Sequence, residues 1–252
     1  MTQQRIANQL DLLTEDVTIT SAAGTITGRD KYPERLKMYE GWVNSHDVQG
    51  TNVSLNADGS LKLIASINYR NTLPDGESNA YTISYDTRLQ YGDGPYGLPQ
   101  FASLNLKPAA TLEPGPLQDM YATNRVMALI HFYLFTVEGL EGDLRSYKAL
   151  LTDTFILEYP AGDLTSWDAL LQHVKEQQEA YESLNHEVEM AEISLIEPNT
   201  YGLRLIFNMQ GTRKDGSAVT SKVAYAWKVI DNPDEEFARI AHVRSQVLQE
   251  ER

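Results

Sequence analysis

With no cysteine in its 252 residues, this chain leaves any chemistry to histidine, tyrosine and carboxylate side chains. Disulfides, thiolate nucleophiles and cysteine-bound zinc or iron–sulfur clusters are excluded at once. The five histidines stand at 46, 131, 173, 186 and 242, without the His-x-x-x-His spacing that would put two ligands on one helix face. His186 and Glu192 share the parity of one strand face. Gly92-Asp93-Gly94 falls between two strand-like runs, where it reads as a turn rather than a phosphate-binding loop. No G-x-S-x-G sequence offers a nucleophile elbow. What remains is acid–base or hydrogen-bonding chemistry by imidazole and phenol groups, and neither a metal nor a cofactor is expected.

Composition places these groups in a folded, acidic protein. Hydrophobic residues make up 42% and charged residues 22%, and the length suits one large domain or two ordinary ones. The net charge of −14 argues against nucleic acid and against anionic membranes as partners, because both demand clustered lysine and arginine. The N-terminal MTQQRIANQLDLL lacks a charged segment followed by an apolar one. No leader is therefore expected, and the cytoplasm is the expected location.

The elements that must position the side chains are organised around residues 117–137, LQDMYATNRVMALIHFYLFTV, whose second half has no formal charge. Apolar side chains there point in every direction, which predicts a helix buried all round. It is too short for a bilayer, which needs about 20 apolar residues. Before it, the patterns predict a short helix over 2–13, a strand around Val17 and Ile19, and a turn at Gly24 and Gly28. A helix then starts at Asp30 as N-cap, with Pro33 in its first turn and Leu36, Met38, Tyr39, Trp42 and Val43 as its apolar face. Strands follow over 46–55, 61–69, 81–89 and 100–106, with Pro74-Asp75-Gly76 as a turn and 107–116 as a linker. After the central helix come a short helix over 143–151, a strand through Phe155, Leu157 and Tyr159, and a helix over 165–181 capped by Thr165 or Ser166. Strands are expected over 186–196, 202–212, 219–230 and 236–248. The last would also suit an amphipathic helix, but its counterpart in the first half favours strand.

That counterpart exists because the chain repeats itself. Leu12-Leu13-Thr14 matches Leu150-Leu151-Thr152, an offset of 150 − 12 = 138, which also pairs Thr27 with Thr165 and Asp30 with Asp168. From His46 the offset becomes 186 − 46 = 140. It pairs Val48 with Val188, Ser54-Leu55 with Ser194-Leu195, Asn68 with Asn208, Asp75-Gly76 with Asp215-Gly216 and Tyr85 with Tyr225. Alternating strands explain the apolar matches but not the polar ones, so the pattern reads as a tandem duplication. The first copy begins at the short helix and lacks an equivalent of the long central helix.

Short motifs give the repeat a family. They are Gly142-Asp143-Leu144, Thr152-Asp153 and Leu157-Glu158-Tyr159-Pro160-Ala161-Gly162, with Gly28-Arg29-Asp30 in the first copy. Together with the order helix–helix–strand–helix and four antiparallel strands, they make the chain resemble the nuclear transport factor 2-like superfamily. That superfamily includes ketosteroid isomerase and polyketide-cyclase-like proteins. The resemblance implies an α+β fold of two tandem cone-shaped domains, each a curved antiparallel sheet packed on helices around a pocket. The first domain, 1–106, lacks its N-terminal helix; a linker spans 107–116; the complete domain is 117–252.

The resemblance also says where chemistry would sit. Isomerase-like members carry a carboxylate base at the end of the first strand, in the pattern Val-Glu-Asp-Pro-x-Gly. Its position here is Tyr159, and Ser21 in the first copy. Neither is a base near neutral pH, since tyrosine titrates near pH ~10. The family's second acid lies on the third long strand, where Asp86 is nearest, but Asp86 has the parity opposite to Ile83, Tyr85, Thr87 and Leu89 and should face outward. A tyrosine on the first helix donates a hydrogen bond in ketosteroid isomerase, and Tyr133 takes that place if residues 138–142 carry a two-residue insertion. The candidate ligand-binding set is therefore His131, Tyr133, Tyr159, Tyr225 and Trp227. Ordinary core packing explains the same aromatics, and His46 and His186, at equivalent strand starts, read as structural.

Three functions compete. The missing carboxylate favours a binding module, in which the second domain holds a small apolar molecule and the first is a degenerate copy kept for assembly. The alternative is an isomerase, dehydratase or cyclase acting on a small hydrophobic substrate through tyrosine or histidine. The third is an assembly protein, pairing with a second copy through an open sheet face. One face of the central helix is expected against the second domain's sheet, and the other over the first domain, which the linker places beside it, rather than over a dimer partner.

Overall fold

Alternation such as Leu61, Leu63, Ala65 and Ile67 puts every second side chain on one face of a strand, and such runs pair into two separate six-stranded sheets. The computed structural model describes residues 9–92, 94–115, 117, 120–140, 144–232 and 234–251. The chain divides into two compact units, cut between Tyr121 and Ala122. Most of the short helix expected over 2–13 lies outside the described residues; Leu13 already belongs to a strand.

The first unit contains β1 (Leu13–Ser21), β2 (Gly24–Thr27), α1 (Tyr32–Leu36), β3 (Val43–Leu55), β4 (Leu61–Thr72), β5 (Ser78–Gln90) and β6 (Gln100–Thr111). Its sheet has the order β2-β1-β6-β5-β4-β3. The second unit contains α2 (Met120–Gly139), α3 (Leu144–Leu150), β7 (Leu151–Tyr159), β8 (Gly162–Leu164), α4 (Trp167–Ala180), β9 (Tyr181–Glu197), β10 (Thr200–Arg213), β11 (Ala218–Ile230) and β12 (Arg239–Glu251). Its sheet repeats the order as β8-β7-β12-β11-β10-β9. The sheets are not wholly antiparallel as expected. In each, the first strand lies parallel to the last, β1 along β6 and β7 along β12.

The repeat holds at the level of single pairings. Leu63 faces Val53 and Thr87, and Leu203 faces Ile193 and Trp227, all at the offset 203 − 63 = 140. A third offset, not apparent in the sequence, governs the last strand. Tyr85 faces Leu106 and Tyr225 faces Ser245, giving 245 − 106 = 139. Bulges repeat as well, at Ala109 and Leu248, at Ala102 and Ala241, and at Gln49 and Glu189. An extra residue bends a strand and increases its twist, so the same curvature is written into both sheets at the same places.

Four expectations need correction. β6 continues to Thr111, through residues expected to be linker, pairing Thr111 with Tyr81. The helix after Gly28 is broken into a 3₁₀ turn at Arg29–Lys31, α1, and a second 3₁₀ turn at Lys37–Tyr39. Asp30 does not cap it. The chain turns two residues earlier at Gly28 (φ 99°), with no side-chain cap. The expected apolar face fails too: Met38 is exposed and Val43 belongs to β3. Gly41 (φ 79°) ends the helical run against Pro74, whose ring a Cβ at Gly41 would meet at 3.1 Å. The equivalent α4 runs unbroken, and Ser166 Oγ caps it by accepting from the Ala169 N–H at 3.2 Å.

Packing differs between the units. In the second, Leu203, Leu205 and Phe207 of β10, Trp227 and Val229 of β11, and Ile240 and Val243 of β12 are buried, as are Val126, Leu129, Ile130, Phe132 and Leu134 of α2. Each such side chain contributes roughly 1.5–3 kcal/mol relative to exposure. In the first, a smaller core of Leu13, Val17 and Ile19 gathers Ile26, Phe101, Leu104 and Leu106 around it. The inward row of β4 there, Leu63, Ile67 and Tyr69, is only half-buried. Among the described residues no helix is long and apolar enough to cross a membrane.

Candidate functional site: a phenol-lined cavity in the second unit

α2 supplies one wall because its apolar residues exceed what a single stripe needs. Its exposed positions, Ala128, His131, Phe135 and Gly139 among the described side chains, form one narrow line at helical spacing. Phe132 packs on Phe237 with ring centroids 4.6 Å apart. Tyr133 meets Trp227 of β11 edge-on at 4.9 Å and 70°. Arg125 anchors the N-terminal half of the helix: its Nε donates to buried Asp231 Oδ1 at 2.7 Å, and its other nitrogens donate to the carbonyls of Asn232, Glu235 and Glu236.

Between α2, α3, α4 and the inward faces of β9–β12 lies a cavity of about 400 Å³. Its walls are mainly aliphatic, among them Leu150, Leu157, Leu170, Val174, Val219 and Val223. Polar groups enter at Tyr133, Tyr147, Tyr159, Tyr225, His173 and His186, with Gln177, Ser221 and Ser245. No Asp, Glu, Lys or Arg lines it among the described residues.

The phenols are held neutral. Burial pushes the Tyr133 hydroxyl well above its usual value, and the neighbouring Tyr159 and Tyr225 push it further. Burial also raises Tyr159 and Tyr225, and it pushes Tyr147 up to about 12 with help from Tyr159. Tyr133 donates to the Tyr159 oxygen, which partly offsets the rise at Tyr159. The surface that Tyr133 and Tyr159 keep lines the cavity. The imidazoles are held neutral from the other side. Burial lowers His173, against an opposing pull from Glu176, and lowers His186, against Glu138. His173 stacks on Tyr159 at 5.5 Å and 13°. Glu138, at the end of α2, accepts the backbone N–H of His186 at 2.5 Å and lies 3.2 Å from its Nδ1. Trp227 is buried beside this group, and its indole N–H has no partner.

Of the five side chains singled out from sequence, Tyr133, Tyr159 and Tyr225 meet in the cavity, and Trp227 backs it through its edge contact with Tyr133. His131 does not belong to the site. It sits on the exposed line of α2, because a helix turns 100° per residue and places 131 away from 133. Asp86 faces outward as its parity demands, 3.4 Å from Lys62. Sequence reasoning missed His173, His186 and Tyr147. The spacing Leu170, His173, Val174, Gln177 on α4 carried a signal for His173. His186 was set aside because His46 repeats it, and repetition proved compatible with facing a cavity.

The second unit, helix–helix–strand–helix followed by four long strands, resembles a nuclear transport factor 2-like cone in its order of elements, and the first unit has its sheet in the same order. The chain carries this sheet order twice. Solved structures similar to it include a nuclear transport factor 2-like superfamily protein from Salmonella enterica, 13% identical, covering 52% of this chain and 93% of its own with a TM-score of 0.46. A putative scytalone dehydratase from Novosphingobium aromaticivorans is 10% identical over 53% of this chain and 88% of its own, TM-score 0.48. A hexachlorocyclohexane dehydrochlorinase from Novosphingobium barchaimii is 8% identical over 52% and 90%, TM-score 0.46. No protein-family model matches the sequence, and no curated protein sequence does.

Proposed function

We propose that the second unit binds a small, uncharged, mainly apolar molecule that presents one or two hydrogen-bond acceptors to the phenols. The supporting observation is the cavity itself: about 400 Å³, aliphatic walls, and only neutral polar groups among the lining side chains. Pockets for small molecules typically combine apolar walls with a few placed polar groups and volumes of about 300–1,000 Å³. A charged ligand would lose its hydration here with no opposite charge to meet it. The Tyr159 hydroxyl, which accepts from Tyr133 and keeps its own proton, and the Tyr225 hydroxyl supply donors for a carbonyl, ether or phenol oxygen. The test is a thermal-shift screen of the full chain with steroid-like and aromatic ketones and phenols, repeated on Val223→Trp, which fills the cavity. A ligand at ~100 times its Kd stabilises by about 2.7 kcal/mol, a shift of several degrees that the filled variant should lose. No shift with any compound, or an undiminished shift in Val223→Trp, would sink the reading.

A second reading, an acid–base enzyme, is favoured by one contact. If Glu138 holds the proton of His186 on Nδ1, the other ring nitrogen is left as an acceptor able to take a proton from a bound molecule. Nitrogen-15 shifts of His186 at pH 7.5 test this without a ligand. The Nδ1–H tautomer in wild type, lost in Glu138→Leu, is expected; the Nε2–H tautomer in wild type removes the reading.

A further inference from the structure

The shared registers place an equivalent, partly exposed sheet face in the first unit as well. In the second unit two neighbouring rungs cross β9, β10 and β11: Leu184–Gly211–Val219 and His186–Met209–Ser221. Every side chain they carry lines the cavity. The equivalent rungs of the first unit cross β3, β4 and β5 as Asn44–Asn71–Asn79 and His46–Tyr69–Tyr81. An aliphatic rung has become a row of three asparagines, and the next has gained two phenols.

These amides and phenols are only partly spent on one another. Asn71 Nδ2 donates to Tyr69 Oη at 3.2 Å, and Tyr81 Oη donates to Asn79 Oδ1 at 3.4 Å. Asn71 is 4% exposed, and its Oδ1 has no hydrogen-bond partner. A buried amide oxygen without a donor is uncommon and calls for one. Aromatic surface adjoins it: the Tyr69 ring lies 4.9 Å from His46, and Tyr39 meets Trp42 edge-on at 5.2 Å just before β3. No carboxylate, ammonium or guanidinium stands on either rung, and burial holds His46 below its usual value and so neutral. An ion would find no counter-charge here. Hydroxyl groups, which both donate and accept, match a mixture of amides and phenols, and the C–H face of a ring suits tyrosine.

We propose that the first unit holds a second ligand site at these two rungs, for a small uncharged polyol or sugar whose hydroxyl donates to Asn71 Oδ1. It is independent of the apolar ligand assigned to the second unit. The test is saturation-transfer NMR on the full chain with myo-inositol and D-glucose as probes. Wild type should transfer saturation to at least one of them. Asn71→Gly, the residue found at the equivalent place in the second unit, should weaken the effect at least tenfold, and Val223→Trp in the second unit should leave it unchanged. If Asn71→Gly does not fold, judged by near-ultraviolet circular dichroism, Tyr81→Ser gives the same readout. No transfer to either probe in wild type would mean that water alone serves Asn71 Oδ1 and would overturn the proposal. Undiminished transfer in the folded variant would overturn it equally.

Discussion

Arg125→Ala is the sharpest test of what holds the cavity's helix wall. The pair Arg125–Asp231 closes at 2.7 Å with side-chain exposures of 14% and 3%. The same guanidinium donates to three carbonyls of the β11–β12 connection, at 3.0 to 3.2 Å. A surface pair with this geometry would be worth about 0–1 kcal/mol. Removing one partner of a buried pair costs roughly 3–5 kcal/mol, because it leaves a charge without compensation. Asp231 is that charge, and the three carbonyls lose a donor as well. For a unit of this size, roughly 3–5 °C of Tm follow each kcal/mol, so a drop of about 10 °C or more is expected. The assay is thermal and urea unfolding of the full chain followed by tryptophan fluorescence, since Trp167 and Trp227 lie in the second unit and Trp42 in the first. The double variant Arg125→Met with Asp231→Leu removes both charges and should recover at least half of the loss. A cost under about 1 kcal/mol for Arg125→Ala would refute the reasoning, since it would mean that water reaches the pair.

Acid should weaken the fold before its carboxylates titrate. Burial lowers His46, His173 and His186 below the usual 6.5. The unfolded chain then binds more protons, so stability is full above 6.5 and is lost as pH falls through the folded values. The urea midpoint should fall between pH 7.5 and 5.5, and a rise over that range would contradict the assignment. Ser166→Ala removes the cap of α4 and should cost about 1 kcal/mol, read as a lower urea midpoint for the second unit alone. Gly76 and Gly216 adopt φ of 91° and 86° at equivalent hairpins with no atom within 4 Å of a Cβ. Alanine at either should cost roughly 1–2 kcal/mol of backbone strain; equal urea-midpoint losses in the two units are expected, and a neutral effect would show that the turn relaxes.

Local signals were legible and non-local ones were not. The Asp-Gly hairpins could be read because their chemistry is contained in a few residues: the Gly76 N–H donates to the Leu73 carbonyl and the Gly216 N–H to the Arg213 carbonyl, while the Asp75 and Asp215 carboxylates accept from the N–H of residues 77 and 217. The parallel pairing of β1 with β6 joins residues far apart in sequence and leaves no local pattern. The end of β6 was misread because the bulge at Ala109 interrupts alternation just where Lys107-Pro108 already looks like a loop. His131 was misplaced because an all-apolar stretch hides which face a helix turns outward. Tyr225 was placed by strand parity, which a helix does not offer, whereas Tyr133 and Tyr159 came from the family resemblance alone.

The unread part of the site and the readable repeat have one physical cause. A slip of one residue flips every side chain of a strand to the other face, so length changes between the copies are tolerated only in connections. The two that occurred lie there. The offset rises from 138 to 140 between β2 and β3, and falls to 139 in the loop before β6, where residues 91–99 correspond to 231–238. Registers, bulges and hairpin turns could not drift without undoing a sheet, and they carry the repeat. Inward side chains could be exchanged one at a time with no change of register. Tyr159 stands against Ser21, which accepts from Arg35 at 2.7 Å; Trp227 stands against Thr87, which donates to the Leu63 carbonyl at 3.0 Å; Met209 stands against Tyr69. A scaffold divided in this way keeps its shape while its two interiors take on different chemistry. One copy's interior is therefore a poor guide to the other's, and ligands for the two units have to be sought separately.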